Sequence, residues 1–314
     1  MTQSGDVVHS GRDVVNDTRG DSKRLVTAFA LCALAYVLAL CVAVAVGYAL
    51  AGRHPIWVVL AADIAATLVI YAFSRVFRNA SFYDPYWSLA PVAIALYWTL
   101  GASSGDAVLV RQVMVLTLVL LWSVRLTFNW ARRWRGLRHE DWRYADLRAR
   151  WGRLFWLVEL SGIEMMPTTV VFLGCLSLFP ALSSGSRAFG VLDGVAAVVV
   201  AGAIVIEALA DEQLERFVRT QRQPGQTMVS GLWAFSRHPN YFGEVMFWWG
   251  LYLFALAADP SYWWAVAGPL SLTLLFVFVS VPMMDRRSLR RRPGYDEHMK
   301  RVSALVPWFR RSDP

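Results

Sequence analysis

Long apolar runs with few charges recur along almost the whole chain, and they decide its class before any motif does. They lie at about 25–50, 56–74, 86–100, 108–130, 154–180, 189–210, 241–258 and 262–284. A membrane helix needs roughly 20 mainly apolar residues to cross a hydrocarbon core of about 30 Å. Lipid offers no partner for the backbone, so each run must satisfy its own hydrogen bonds as a helix. The fold class is therefore all-α: a polytopic membrane protein with seven or eight transmembrane helices, the third and seventh short. The chain is 56% hydrophobic, against about 45–50% for a soluble domain.

The net charge is +8, which in a soluble protein would suggest nucleic acid. Here the basic residues sit in short segments between apolar runs, where topology and anionic lipid account for them. With the N-terminus placed in the cytoplasm, 27 of the 31 Lys and Arg residues fall on inside segments. The outside loops hold only Arg53 and Arg187, and Arg111 and Arg125 lie within a helix. That asymmetry predicts both termini in the cytoplasm and a multi-pass protein of the cell inner (plasma) membrane. No nucleic-acid partner is expected. The partners are membrane lipid and a hydrophobic small molecule, and the chain reads as a monomer. Lysines are confined to Lys23 and Lys300, a bias towards Arg that hints at a GC-rich bacterial genome.

Residues 1–24 are polar and read as a disordered cytoplasmic segment. Residues 25–74 read as an N-terminal transmembrane extension, and 75–314 as the main membrane domain. No cleavable signal peptide precedes the first apolar run. Cys32, Cys41 and Cys175 all lie in apolar runs without metal-ligand spacing and read as small buried hydrophobes. Residues 131–153, ARRWRGLRHEDWRYADLRARWGR, have the period of a basic amphipathic helix lying on the membrane surface. Residues 211–240 continue helix six and turn at Gln223-Pro224-Gly225. Most of the 15 Trp residues read as interfacial anchors.

Ionisable groups within membrane helices are costly and are functional candidates by default. Here they are Asp63, Asp84, Arg111, Arg125, Glu159, Glu164, Glu207, Asp211 and Asp285. On the topology above, Asp84, Arg125 with Asn129, Asp211, Asp285 and the segment from Arg237 to Glu244 all reach the cytoplasmic end of the bundle. Such a gathering predicts a cavity for a polar ligand. Arg125 alone could also snorkel, and Asp84 could cap a helix before Pro85. Asp63, Arg111 and Glu207 have no chemical partner in the sequence and read as structural. Glu159 and Glu164 share helix five, where Pro167 loosens the local backbone bonds.

The densest constellation is Arg237-His238-Pro239-Asn240-Tyr241-Phe242-Gly243-Glu244. Pro239 breaks the chain, and Asn240 is placed to cap a helix starting at Tyr241. Arg237 and His238 would then face phosphate near the positive end of that helix. Glu244, one turn on, would accept hydrogen bonds from a ribose or an amide. No GxGxxG follows a strand, and there is no P-loop, Gly-x-Ser-x-Gly elbow or His-Glu-x-x-His. A nucleotide, if bound, is not held by a Rossmann domain, and hydrolase readings lose their motifs.

The segment GLWAFSRHPNYFGEVMFWWG at 231–250 resembles the hallmark of the steroid 5-alpha-reductase superfamily. The chain is most similar to the bacterial branch once catalogued as a conserved domain of unknown function. The other matching features are YDPYWSL at 83–89, Arg125-x-x-x-Asn129, EDWRY at 140–144, DEQL at 211–214 and YDEHMKRVSALVPWF at 295–309. The resemblance implies NADPH-dependent reduction of a carbon–carbon double bond conjugated to a carbonyl. It implies Asp84, aided by Tyr83 or Tyr86, as the acid at the carbonyl oxygen. Arg125, Asn129, Asp211, Arg237, His238, Asn240, Tyr241 and Glu244 would hold NADPH, with Arg132, Arg216 or Arg219 reading the 2′-phosphate. In the eukaryotic enzymes a membrane Glu and Tyr hold the steroid ketone. Asp84 is the best match for the Glu; the Tyr position is Trp122 or has moved elsewhere, which weakens a steroid as the substrate. A steroid, isoprenoid or fatty enone all remain open.

Two other readings stand beside this one. RHPNYFGE also serves a wider superfamily of isoprenylcysteine and phospholipid methyltransferases, so an S-adenosylmethionine-dependent membrane methyltransferase is the first alternative. A non-catalytic lipid-binding protein on the same scaffold is the second; it would not need Asp84, Arg125 and Glu244 to converge.

Overall fold

A computed structural model of the chain describes residues 10–101, 108–220 and 225–310. Twelve α-helical segments follow one another among these residues: α1 (Ser10–Ala49), α2 (Pro55–Phe77), α3 (Tyr86–Leu100), α4 (Leu109–Arg133), α5 (Trp142–Trp151), α6 (Phe155–Val158), α7 (Met166–Cys175), α8 (Val191–Thr220), α9 (Pro239–Ala258), α10 (Ala267–Leu275), α11 (Val281–Arg291) and α12 (Tyr295–Arg301). No strand occurs among them beyond one isolated bridge between Ser236 and Ser303. The protein is thus an all-α, multi-pass membrane protein.

Among the described residues, seven stretches are long and apolar enough to cross a membrane: Ser22–Ala49, Pro55–Phe77, Leu109–Arg133, Trp142–Ser184, Val191–Thr220, Pro239–Ala258 and Pro260–Arg291. The eighth expected run, α3, has 15 residues. At 1.5 Å per residue it covers only about 22 Å, short of the hydrocarbon core. Large apolar side chains such as Val198, Leu209 and Phe278 stand exposed, as lipid-facing residues do.

The helices group into two compact units. Unit 1 comprises residues 1–87 and 128–168, and unit 2 comprises 88–127 and 169–314. In unit 1, α1 and α2 form a hairpin. Ala28, Cys32, Ala35 and Ala39 recur every three or four residues on α1 and are buried, so small side chains let the helices approach closely. Cys41 departs from its expected burial because it lies on the opposite, outward face. The helix begins at Ser10, within the segment expected to be disordered, while residues 1–9 lie outside the described ones.

Residues 131–153 do not form the single helix their period suggested. α4 ends at Arg133, Gly136 takes a left-handed conformation (φ +79), and α5 starts at Trp142. Asp141 caps α5 by accepting from the Arg143 N–H at 2.9 Å. The stretch Trp142–Ser184 is not a uniform α-helix either. Between α6 and α7, Glu159–Met165 forms a π-helix that ends two residues before Pro167.

In unit 2, α8 and α9 pack along their lengths. Gly243 and Gly250 are the reason: a Cβ on Gly243 would lie 2.9 Å from the Ala203 carbonyl oxygen, and one on Gly250 would overlap Val200. The expected turn at Gln223-Pro224-Gly225 lies mostly outside the described residues; Gly225 itself has φ +85.

Candidate functional site

Each unit gathers polar side chains from several helices. In unit 2, α9 starts at Pro239 rather than at Tyr241. His238 holds the N-cap position without a capping hydrogen bond, and Pro239 fills the first turn, where its missing N–H costs nothing. Asn240 is therefore inside the helix, and its side chain turns to α8, with Nδ2 3.4 Å from Asp211 Oδ1.

Around Asp211 the expected residues converge. Arg125 of α4 donates from Nη1 to Asp211 Oδ2 at 2.9 Å, and its Nη2 lies 2.5 Å from Glu207 Oε1. Glu244 is buried and accepts from the indole N–H groups of Trp122 (3.0 Å) and Trp248 (2.8 Å). Trp122 stacks on Phe247 at 4.4 Å between ring centres. Trp122 thus positions Glu244, and its N–H is committed there. Three carboxyl groups and one guanidinium meet, and among the described residues Arg125 Nε and Glu207 Oε2 have no hydrogen-bond partner. Such a cluster is rich in acceptors. It suits hydroxyl and amide donors of a ligand better than phosphate, since its own charges oppose an anion.

DEQL divides its work. Asp211 holds Arg125, while Gln213 Oε1 accepts from the Leu232 N–H at 2.9 Å and so docks the segment before RHPNYFGE onto α8. Glu207, read from the sequence as structural, belongs to the cluster. The signal was available: Glu207 and Asp211 are four residues apart and share a helix face.

Arg237 and His238 form a second cluster of their own. Arg237 donates to Asp285 from Nε and Nη2, and from Nη1 to the carbonyl oxygens of Met299 (2.9 Å) and Val302 (2.8 Å). His238 Nε2 and the Tyr295 hydroxyl also meet Asp285 Oδ1, at 3.1 and 2.9 Å. Burial, then the Asp285 charge, push the Tyr295 phenol up to about 12. Tyr241 stacks on His238 at 5.2 Å. Arg237 is thus engaged in fastening the C-terminal segment instead of facing outward to a phosphate. Arg216 and Arg219 are exposed and pair with Glu212 and Glu215 one turn away. Asn129 lies one turn beyond Arg125 on α4 and belongs to unit 1, as does Arg132, which sits over the Phe128 ring.

In unit 1 the YDPYWSL and EDWRY segments hold each other. Glu140 accepts from the Ala80 N–H at 3.0 Å, and the Tyr144 hydroxyl donates to Asp84 at 2.7 Å. Burial raises the Asp84 carboxyl to about 6, with Arg143 and Tyr144 pulling it partly back. Tyr86 donates to Asp63 Oδ1 at 2.7 Å, and among the described residues Asp63 Oδ2 has no hydrogen-bond partner. Tyr83 stacks on Tyr86, and its hydroxyl meets Thr168 at 2.8 Å, which in turn meets Thr67 at 2.9 Å. Asp63, Thr67, Ala80, Tyr83, Tyr86, Tyr144 and Thr168 are buried, while Asp84, Glu140 and Arg143 are half-buried. Asp63 has therefore found the partner that the sequence did not reveal.

Arg111, expected to be structural, forms a buried two-point pair with Asp193 (2.6 and 2.9 Å) and also donates to the Arg187 carbonyl.

The chain is 26% identical over 264 residues to an uncharacterized protein of Schizosaccharomyces pombe, the alignment covering 76% of each chain. No solved structure matches it. A family described as "Protein of unknown function (DUF1295)" matches residues 70–302, a stretch that takes in both the YDPYWSL and the RHPNYFGE segments, and the chain belongs to that family.

Proposed function

We propose that this protein is an NADPH-dependent reductase of a carbon–carbon double bond conjugated to a carbonyl, in a lipid-like substrate, working in the cell inner membrane. Both termini would face the cytoplasm, as the distribution of basic residues favours, with the short α3 as an eighth crossing where the bilayer thins around it. The steroid 5-alpha-reductase resemblance supplies the reaction class. Unit 2 would hold the nucleotide: Asp211, Asn240 and Glu244 offer acceptors and an amide for its ribose and carboxamide groups. Arg237, His238 and Tyr241 would support that cradle from behind.

The observation that carries the reading is in unit 1. When hydride reaches the β-carbon, negative charge develops on the carbonyl oxygen, and donors held in an apolar setting must meet it. Tyr83, Tyr86, Asp63 and Asp84 form such a group. Tyr86 and Asp63 are the pair we favour: Tyr86 donates to Asp63 at rest, and with Asp63 protonated the bond would reverse, freeing the Tyr86 O–H for the substrate oxygen, while Asp84 holds the segment through Tyr144. Methyl transfer from S-adenosylmethionine develops no oxyanion and has no use for buried phenols paired with a carboxyl group.

The test is thermal stability of the full chain in detergent with NADPH, NADH and S-adenosylmethionine, followed by turnover of a 4-ene-3-one steroid and an isoprenoid enone. A ligand held only by the folded state raises stability as its site fills. NADPH should do so, and Asn240→Ala should abolish the rise. Stabilisation by S-adenosylmethionine alone would transfer the assignment to a methyltransferase. Stabilisation by none, with the fold intact, would favour the lipid-binding alternative.

A further inference from the structure

Enone reduction uses one proton for every hydride: enone + NADPH + H⁺ gives the saturated ketone + NADP⁺. A donor buried in unit 1 must therefore be resupplied from water, and a second set of buried oxygens in that unit is unused by the reading above. Glu159 and Glu164 are both buried in the π-helix Glu159–Met165. A π-helix closes hydrogen bonds from i to i+5, here from the Met166 N–H to the Ser161 carbonyl. Residues five apart therefore come to one face, where an ordinary α-helix would splay them. Glu159 and Glu164 are five apart.

The outer member, Glu159, accepts from Arg75 at 3.0 Å, and the Arg75 side chain is 43% exposed, so this pair reaches the surface of the unit. The inner member, Glu164, is fully buried, and among the described residues no well-formed hydrogen bond reaches its carboxyl oxygens, Ser74 being the hydroxyl beside them. The groups that act on it are Ser74 and Glu159. Tyr83 lies within electrostatic reach of both Glu164 and Asp63. Thr168, one turn after Glu164, is the residue that meets the Tyr83 hydroxyl. An unpaired carboxylate is costly to bury, and holding a proton removes that cost.

We propose that Glu159 and Glu164 form a proton relay that feeds the tyrosine–aspartate group through Thr168 and Tyr83. In each turnover the donor gives its proton to the substrate oxygen, and the enol so formed becomes the ketone by losing the O–H proton and gaining one at the α-carbon, so that one proton is consumed in all. Tyr83 and Thr168 then pass one proton inward by breaking one O–H bond and forming the next. Glu164 supplies that proton and regains one through Glu159 from water. No electron moves along this path. The catalytic part of the proposal rests on the reductase reading; the proton path itself does not.

Infrared spectroscopy of the full chain in lipid nanodiscs, without ligand, tests the path directly. The wild-type minus Glu164→Gln difference spectrum at neutral pH should contain the carbonyl stretch of a protonated carboxyl group. Loss of carboxylate bands instead would overturn the proposal. On transfer to D₂O that stretch should shift, and Glu159→Gln should slow the shift at least ten-fold; an unchanged rate would overturn the relay. With NADPH and an enone, Glu164→Gln and Thr168→Val should each lower kcat at least ten-fold while NADPH still stabilises the protein equally. An unchanged kcat would remove the relay from catalysis. If the wild type reduces no enone while the infrared results are as expected, the proton path stands and the reductase reading alone falls.

Discussion

Replacing Gly243 with Ala would test whether the closeness of α8 and α9 builds the unit 2 cluster. The new methyl would meet the Ala203 carbonyl oxygen at 2.9 Å, Glu207 Cβ at 3.0 Å and the Glu207 N–H at 3.1 Å. Two of these are backbone atoms of α8 and cannot rotate away, so the helices must part. Overpacking of this kind costs about 1–3 kcal/mol. Ala also gains about 1 kcal/mol over Gly inside a helix, which would mask part of the loss. Gly202→Ala is the matched control, because it lies on α8 with nothing within 4 Å of its added methyl. The difference between the two variants then isolates the contact. Gly243→Ala should melt about 2–10 °C below Gly202→Ala. It should also bind NADPH more weakly, since Glu207 is displaced from Arg125. A Gly243→Ala variant that melts with or above Gly202→Ala would refute the argument.

Removing one partner of the buried Arg111–Asp193 pair, as in Arg111→Met, should cost about 3–5 kcal/mol by leaving a carboxylate buried alone; thermal denaturation of that variant beside Arg111→Met/Asp193→Leu, which should recover much of the loss, checks it. Asp84 has a pH signature. Its carboxyl is raised from 3.8 to about 6, so the fold favours the protonated form. The stability it contributes is fully present below about pH 4 and is lost as pH rises through 6. The loss is at most about 3 kcal/mol, and a pH series of melting temperatures should be flatter for Asp84→Asn than for the wild type.

The membrane helices were legible because lipid tolerates only long apolar segments, and α3 differed in being shorter than the rest. What the sequence did not disclose were partners far away along the chain. Arg237 reads as a phosphate ligand until Asp285, Met299 and Val302, 48 to 65 residues on, occupy its donors. Residues 131–153 have a helical period, yet Glu140 and Asp141 are spent on holding Ala80 and capping α5, which interrupts it. Asp63 looked unpartnered because Tyr86 lies 23 residues on, beyond the rest of α2 and a loop. Glu207 is the instructive miss. Its spacing from Asp211 placed it on the cluster's face, and only the absence of a visible cation made it read as structural.

The cluster of one guanidinium and three carboxyl groups bears on where a nucleotide's phosphates go. Arg125 is already bracketed by Glu207 and Asp211, and Arg237 by Asp285, so neither is a strong phosphate ligand. Arg216 and Arg219 are different. They are exposed, and their i,i+4 pairs with Glu212 and Glu215 are surface contacts worth little. They can change partner at small cost, and Arg matches phosphate geometry. A charged hydrogen bond contributes about 1.5–3 kcal/mol, so losing one should weaken binding roughly ten- to a hundred-fold. Arg216→Gln/Arg219→Gln should therefore raise the Kd for NADPH by at least ten-fold, leave the Kd for NADH within two-fold and leave the melting temperature unchanged, as isothermal titration and thermal scans would read. An equal loss for NADH would mean that these residues hold the shared diphosphate. No loss for either would place the 2′-phosphate on another cation, with Arg132 the next to substitute.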